Sequence, residues 1–220
     1  MKLADTLVVL DTCVLMPLRL SDVLMDLRAE RLFSTHWTAE IDEEYLRNMQ
    51  AAFGFSEGAT LKRLGAMKKR CPEWAVIPAV AALALVPDKV DVKDRHVAAA
   101  ALTLRQYADE DNEEGTLSTV YLVTDNTRHF AKQDMAVQGV TVLKAGAFLD
   151  VIHAAQPVQA EQAVLKAVKD LTDPPYSRAE LLAALRRHGA NQLVDALATK
   201  WGVMPARRST STKTPRKRTA

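Results

Sequence analysis

Asp11, Glu44, Asp94 and Asp125 are the residues whose type and placement promise chemistry. Asp11 closes the apolar run Leu7-Val8-Val9-Leu10, and Asp125 closes Val120-Tyr121-Leu122-Val123-Thr124. A carboxylate at the C-terminal end of a buried strand lies where open α/β sheets bind their ligands. Asp94 lies in the first turn of a helix that begins near Val92. Asp91 can cap that helix, whereas capping does not require Asp94. Glu44 is the acid of the cluster Glu40, Asp42, Glu43 and Glu44 that borders the Ile41/Tyr45 apolar seam, with Glu43 the next choice. Carboxylates gathered in one place raise one another's pKa, and a divalent cation removes that cost. Oxygen ligands without a Cys/His set suit Mg²⁺ or Mn²⁺ and argue against zinc. Such a centre activates water and stabilises the leaving oxygen of a phosphodiester, which is metal-assisted hydrolysis.

The elements that must position these acids follow from periodicity. Leu7–Leu10 has no alternation and reads as a strand buried on both faces, as in the middle of a parallel sheet. From Leu15 to Glu30, Leu18, Leu20, Val23, Leu24 and Leu27 recur at helical spacing with Arg19, Asp22, Asp26 and Arg28 between them, and Pro17 breaks the region. Arg31 to Trp37 is a second strand, Thr38 is the N-cap of the helix carrying Glu44, and Ser56 to Arg70 is another helix. The alanines and valines between Trp74 and Val86 do not decide between strand and helix. Val92 to Gln106 has an alanine-rich core suited to close packing on a sheet, and Ser118–Val123 and Val137–Leu143 complete the strands. The expected fold is α/β: a three-layer domain over residues 1–149 with a central, mostly parallel sheet. A small all-α extension follows over 150–205. It includes a helix over 159–171, a capping box at Ser177-Arg178-Ala179-Glu180 with Gly189 ending its helix, and another helix over 191–201.

Charge distribution says more than the net +2. Residues 206–220 hold six basic side chains and no acid, leaving the rest with 23 Lys+Arg against 27 Asp+Glu, or −4. That tail, rich in Ser and Thr, is expected to be disordered and to be a solubilising terminus or a phosphate-binding arm. In the body, the helix face with Lys62, Arg63, Lys68, Lys69 and Arg70 is the main candidate for phosphate contacts. The acidic run 109–115 lacks the spacing of a calcium loop. The first apolar run is too short for a secretory leader, and the stretch Trp74 to Val86, interrupted by Pro78, is too short for a bilayer span. Cys13 and Cys71 suggest no disulfide framework. A soluble cytoplasmic protein is the expectation.

Four segments together carry a resemblance. Val9-Leu10-Asp11-Thr12-Cys13-Val14-Leu15, Glu40 to Met49, Lys93-Asp94-Arg95-His96 with the alanines after it, and Leu122-Val123-Thr124-Asp125-Asn126 with Phe130 resemble the ordered signature of PIN-domain ribonucleases. Within that superfamily they resemble the VapC-type toxins of bacterial toxin–antitoxin pairs. The resemblance spans roughly residues 7–148. It implies that Asp11, Glu44 and Asp94 are metal ligands, that Asp91 assists, and that Thr12 and Thr124 orient the acids. The fourth slot departs from the pattern, because the third residue after Val123 is Asn126 and the acid is Asp125, so either residue fills it. The resemblance further implies a metal-dependent endoribonuclease that cuts structured RNA, with tRNA and rRNA as candidates, as the toxin of a type II pair. A homodimer and a small inhibitory antitoxin are implied too, and the helical extension resembles those of a subset of such toxins. An RNA-binding module with a degenerate PIN fold is the alternative. A nuclease or aspartyl-phosphate enzyme of another α/β fold also places an acid after the first strand, but the latter wants a second aspartate at position 13, which is Cys13.

Overall fold

The computed structural model describes residues 6–110, 118–170 and 175–204. The basic tail 206–220 and most of the acidic run 109–115 lie outside the described residues. Strand β1 (Thr6–Leu10) leads through Asp11 into a single helical turn, α1 (Thr12–Leu15), and then α2 (Leu18–Ala29). Pro17 occupies the N-cap of α2, so the break falls where a missing amide costs nothing. After β2 (Ser34–His36) come α3 (Ala39–Phe53) and α4 (Glu57–Arg70). The hydroxyls of Thr38 and Ser56 accept the Ile41 and Ala59 amides and start these two helices. Helix α5 (Val80–Leu85), a 3-10 turn at Val92–Asp94 and α6 (Arg95–Glu110) lead to β3 (Thr119–Val123). A 3-10 turn at Thr127–His129, α7 (Lys132–Val137) and β4 (Val140–Leu143) complete the sheet.

All pairings are parallel, in the order β2-β1-β3-β4. The order reverses at β1, so a crevice opens beyond the C-terminal ends of β1 and β3, the switch point of an open sheet. Leu10 pairs with Val123, and the Asp11 amide donates to the Val123 carbonyl at 3.1 Å. Asp11 and Thr124 are therefore neighbours at that edge. Helix α6 lies against β1 and β3, with Ala98, Ala99, Ala100 and Ala101 fully buried where larger side chains would hold it off the sheet.

The C-terminal helices are α8 (Ala145–Ala155), α9 (Pro157–Asp170), α10 (Arg178–Arg187) and α11 (Asn191–Trp201). Helices α9 and α10 pack on α2, and α11 packs on α8. Their buried Leu181, Leu182, Leu185, Leu193, Val194 and Leu197 belong to the same apolar cluster as the sheet. The capping box forms: Ser177 accepts the Glu180 amide at 3.2 Å while its own amide donates to the Glu180 carboxylate at 2.8 Å.

Two local expectations are corrected and one open stretch is settled. Val137 ends helix α7 and is exposed; the last strand begins at Val140, after a turn at Gly139 with φ +77°. The stretch Trp74 to Val86 gives one bridge, Ala75 to Trp37, and then the helical turns of α5. Asp91 sits at the N-cap of the 3-10 turn without a side-chain cap bond; its backbone carbonyl accepts the Asp94 amide instead. No helix among the described residues is long and apolar enough to cross a membrane.

Candidate metal centre

Asp11 is 6% exposed at the end of β1. Its Oδ2 accepts hydrogen bonds from the Thr124 hydroxyl at 2.6 Å and the Cys13 thiol at 3.1 Å. The residue that follows β3 supplies the first donor and α1 the second, so the carboxylate is oriented by both sides of the crevice. Burial, with the Asp11 charge next, pushes the Cys13 thiol up to about 12, so Cys13 stays a protonated donor. Thr12 donates to Glu44 Oε2 at 2.6 Å, which ties α3 to the end of β1. Glu43 lies on the solvent side against Arg47 at 3.7 Å, while Asp42 accepts from Trp37 Nε1 and pairs with Lys68.

Asp94 projects from the 3-10 turn ahead of α6. Its Oδ2 meets His129 Nδ1 at 2.9 Å, and Asp91 Oδ2 stands 3.7 Å from the same nitrogen. Burial raises the Asp94 carboxyl above the usual range and the Asp11 charge acts in the same direction, against the His129 hydrogen bond. Asp11 and Asp94 thus repel one another across the crevice. Among the described residues, Asp91, Asp94 and His129 form the set of three whose ligand atoms all lie within 4.8 Å of one another. Asp11 and Glu44 fall outside that spacing. Carboxylate oxygens with one imidazole nitrogen form a donor set that Mg²⁺ and Mn²⁺ accept, and Mn²⁺ tolerates the nitrogen better. The mutual repulsion of Asp11 and Asp94 is what a cation would relieve.

Asp125 faces elsewhere. Its Oδ2 meets His188 Nδ1 at 3.2 Å and its Oδ1 accepts the Ala145 amide at 3.4 Å. Its backbone amide donates to Cys13 Sγ at 3.2 Å. Asn126 is exposed, and its amide donates to the Thr124 hydroxyl at 3.0 Å, so that hydroxyl both receives from Asn126 and gives to Asp11. His96 meets the Thr38 hydroxyl at 3.0 Å, as a polar neighbour of the α3 N-terminus.

The basic face of α4 is divided. Arg63 donates to Asp22, Ser21 and the Leu18 carbonyl of α2. Arg70 pairs with the buried Asp26, and Lys68 pairs with Asp42 while its ammonium lies 3.8 Å from the centroid of the Trp74 ring. Lys62 and Lys69 are exposed. Sequence reasoning gave Cys13 only a packing role and gave none to His129 or His188. For His129 a signal existed, a histidine four residues beyond Asp125 in the turn after a buried strand. For His188 none did, because 63 positions separate it from Asp125.

Neither curated proteins nor solved structures give a match to the chain. Residues 146–199, the stretch from α8 through most of α11, match the family model of the VapC50 C-terminal domain, and that similarity points to a VapC-family toxin.

Proposed function

We propose that the protein is a metal-dependent endoribonuclease that acts as the toxin of a type II toxin–antitoxin pair, with residues 1–149 carrying the site and 150–205 the helical extension. The observation that carries the reading is that buried Asp11, held by Thr124 at the β1/β3 edge, lies near enough to Asp94 for its charge to add to burial in raising the Asp94 carboxyl, a cost that a cation would remove. Asp11, Glu44 and Asp94 would hold Mg²⁺ or Mn²⁺, with Asp91 and His129 beside Asp94. The fourth position falls to Asp125 or Asn126: Asp125 is engaged by His188 and the Ala145 amide, and Asn126 is the more exposed of the two.

When bound, the cation supplies a nucleophilic water and charge stabilisation at the phosphodiester. The chain's own groups do the positioning. Thr124 and Cys13 hold one oxygen of Asp11, Thr12 holds Glu44, and His129 holds Asp94. On α4, Lys62 and Lys69 are the exposed cations that would meet RNA phosphates, since Arg63, Lys68 and Arg70 are neutralised by Asp22, Asp42 and Asp26, and the basic composition of 206–220 makes that segment a further candidate. A small antitoxin and a second copy of the chain are the partners this reading requires, and a structured RNA, tRNA or rRNA, is its substrate.

Asp11→Asn tests it. The variant should lose RNA cleavage and growth inhibition by at least about 100-fold, the scale of an electrostatic group acting on the reacting centre, with its Tm close to that of the unmodified chain. EDTA should abolish cleavage, and Mn²⁺ or Mg²⁺ should restore it. Cleavage by Asp11→Asn at the unmodified rate would overturn the assignment. RNA binding without cleavage in the unmodified chain, insensitive to Asp94→Ala, would favour the degenerate binding module.

A further inference from the structure

The segment from Thr124 to His129 is held by the Thr124 amide on the Leu143 carbonyl and the Asp91 amide on the His129 carbonyl, by the Asp125 amide on Cys13 Sγ, and through three side chains. Thr124 donates to Asp11, Asp125 is gripped by His188 and the Ala145 amide, and His129 meets Asp94. Two of these tethers are acids of the candidate centre. The third belongs to the C-terminal helices, because His188 is the C-cap of α10. A carboxylate can only accept, so Nδ1 of His188 carries the proton in this contact.

The surroundings of His188 fix where that imidazole sits. Its carbonyl accepts the Gly146 amide at 3.2 Å. Gly146 is close enough to the 188–190 backbone that any Cβ there would overlap His188, Gly189 and Ala190. Gly189 follows with φ +91°, the left-handed conformation that turns the chain out of α10. The end of α10 is thus pressed against the start of α8 by backbone contact, and α8 itself begins where its Ala145 amide meets Asp125. Side-chain exposures of 23% for His188 and 34% for Asp125 leave the pair partly shielded from water, where a charge-assisted hydrogen bond is worth more than at an open surface.

We propose that the C-terminal helices serve as a clamp on the active edge of the sheet: His188 is a positioning residue that, through Asp125, sets the 124–129 turn and thereby the seats of Asp11 and Asp94. The clamp is a statement about the turn. Its consequence for cation binding rests on the metal centre proposed above.

The experiment uses the full chain with three substitutions. His188→Ala removes the donor; His188→Asn keeps a donor close to the position of Nδ1. Amide hydrogen exchange without metal should rise about 5-fold across residues 124–130 in His188→Ala, the response to one lost hydrogen bond, and return in His188→Asn, while residues 191–201 exchange as before. Mn²⁺ titration followed by electron paramagnetic resonance should give an apparent Kd raised roughly 3- to 10-fold in His188→Ala and restored in His188→Asn, below the roughly 10- to 100-fold of groups that orient a ligand directly, because His188 acts through Asp125.

Unchanged exchange at 124–130 in His188→Ala overturns the clamp. Equal acceleration in both variants extending through α11 also overturns it, because His188 would then be only a packing residue. Asp11→Asn separates the two claims. If it abolishes Mn²⁺ binding while His188→Ala leaves Kd unchanged, the clamp does not reach the centre and is wrong as stated. If Asp11→Asn binds Mn²⁺ normally, the metal centre is misassigned and the exchange result alone judges the clamp.

Discussion

The acid whose ionisation the fold opposes is Asp94. Its carboxyl is raised by burial and then by the charge of Asp11, so between the unfolded and folded values the native state binds more protons than the unfolded chain. Stability therefore falls as pH rises through that window, beginning near the ordinary aspartate value of about 4, and the loss is complete once pH has passed the raised folded value. Asp94→Asn removes the charge but keeps an oxygen for His129. In EDTA at pH 7 the variant should melt about 1–2 °C above the unmodified chain, a small gain because solvent screens a half-buried group. Below about pH 4 the gain should vanish. Saturating Mn²⁺ should reverse the order, since a ligand stabilises only the form that binds it. Scanning fluorimetry in a pH series reads all three arms, and a variant no more stable than its parent at pH 7 would show that Asp11 and Asp94 do not strain one another.

At the scale of elements, backbone contact between α8 and α10 fixes the C-terminal helices more strictly than side-chain packing does. Gly146→Ala would drive a methyl into the 188–190 backbone, which cannot yield as a flexible side chain can. We expect a cost of about 3 kcal/mol and a Tm lowered by roughly 6–12 °C, read by calorimetry; a shift within 1 °C would mean that the junction opens freely. Nothing in the sequence around Gly146 announces this, because its partner is 43 positions away. Elements with local signals were legible: the buried strand ending at Asp11, the cap at Thr38, and the capping box at Ser177 all form. The reading of α2 shows the limit. Asp26 falls among the polar positions of its helix, yet it is 2% exposed, because α9 covers that face and Lys166 and Arg70 bring the countercharges. Helical periodicity assumes one wet face, and a second layer packed on the outside defeats it. Likewise Glu44 was legible as the acid beside the apolar seam of its own helix, whereas the partners of Asp125 and Asp94 come from elements that no local pattern joins.

For the whole molecule, the position of α2 decides how separable the two halves are. A chain ending at 149 stops within α8 and loses α9, α10 and α11. It would uncover the outer face of α2, and it would leave Asp26 without Lys166 and Asp125 without His188. Leu181, Leu182, Leu185, Leu193, Val194 and Leu197 are each no more than 2% exposed, and their burial against α2, α8 and one another contributes about 1.5–3 kcal/mol per side chain. Their loss, with the matching surfaces left bare, is comparable to the roughly 5–15 kcal/mol that keeps a domain folded. The sheet-containing part and the C-terminal helices should therefore behave as one cooperative unit. The full chain should unfold in a single calorimetric transition with calorimetric and van't Hoff enthalpies in agreement, and residues 1–149 alone should aggregate or give a collapsed, poorly dispersed amide spectrum. A well-dispersed spectrum from 1–149, or two resolved transitions in the full chain, would show that the extension is an accessory laid on a self-sufficient core, and would remove the mechanical basis on which the end of α10 can bear on the acids.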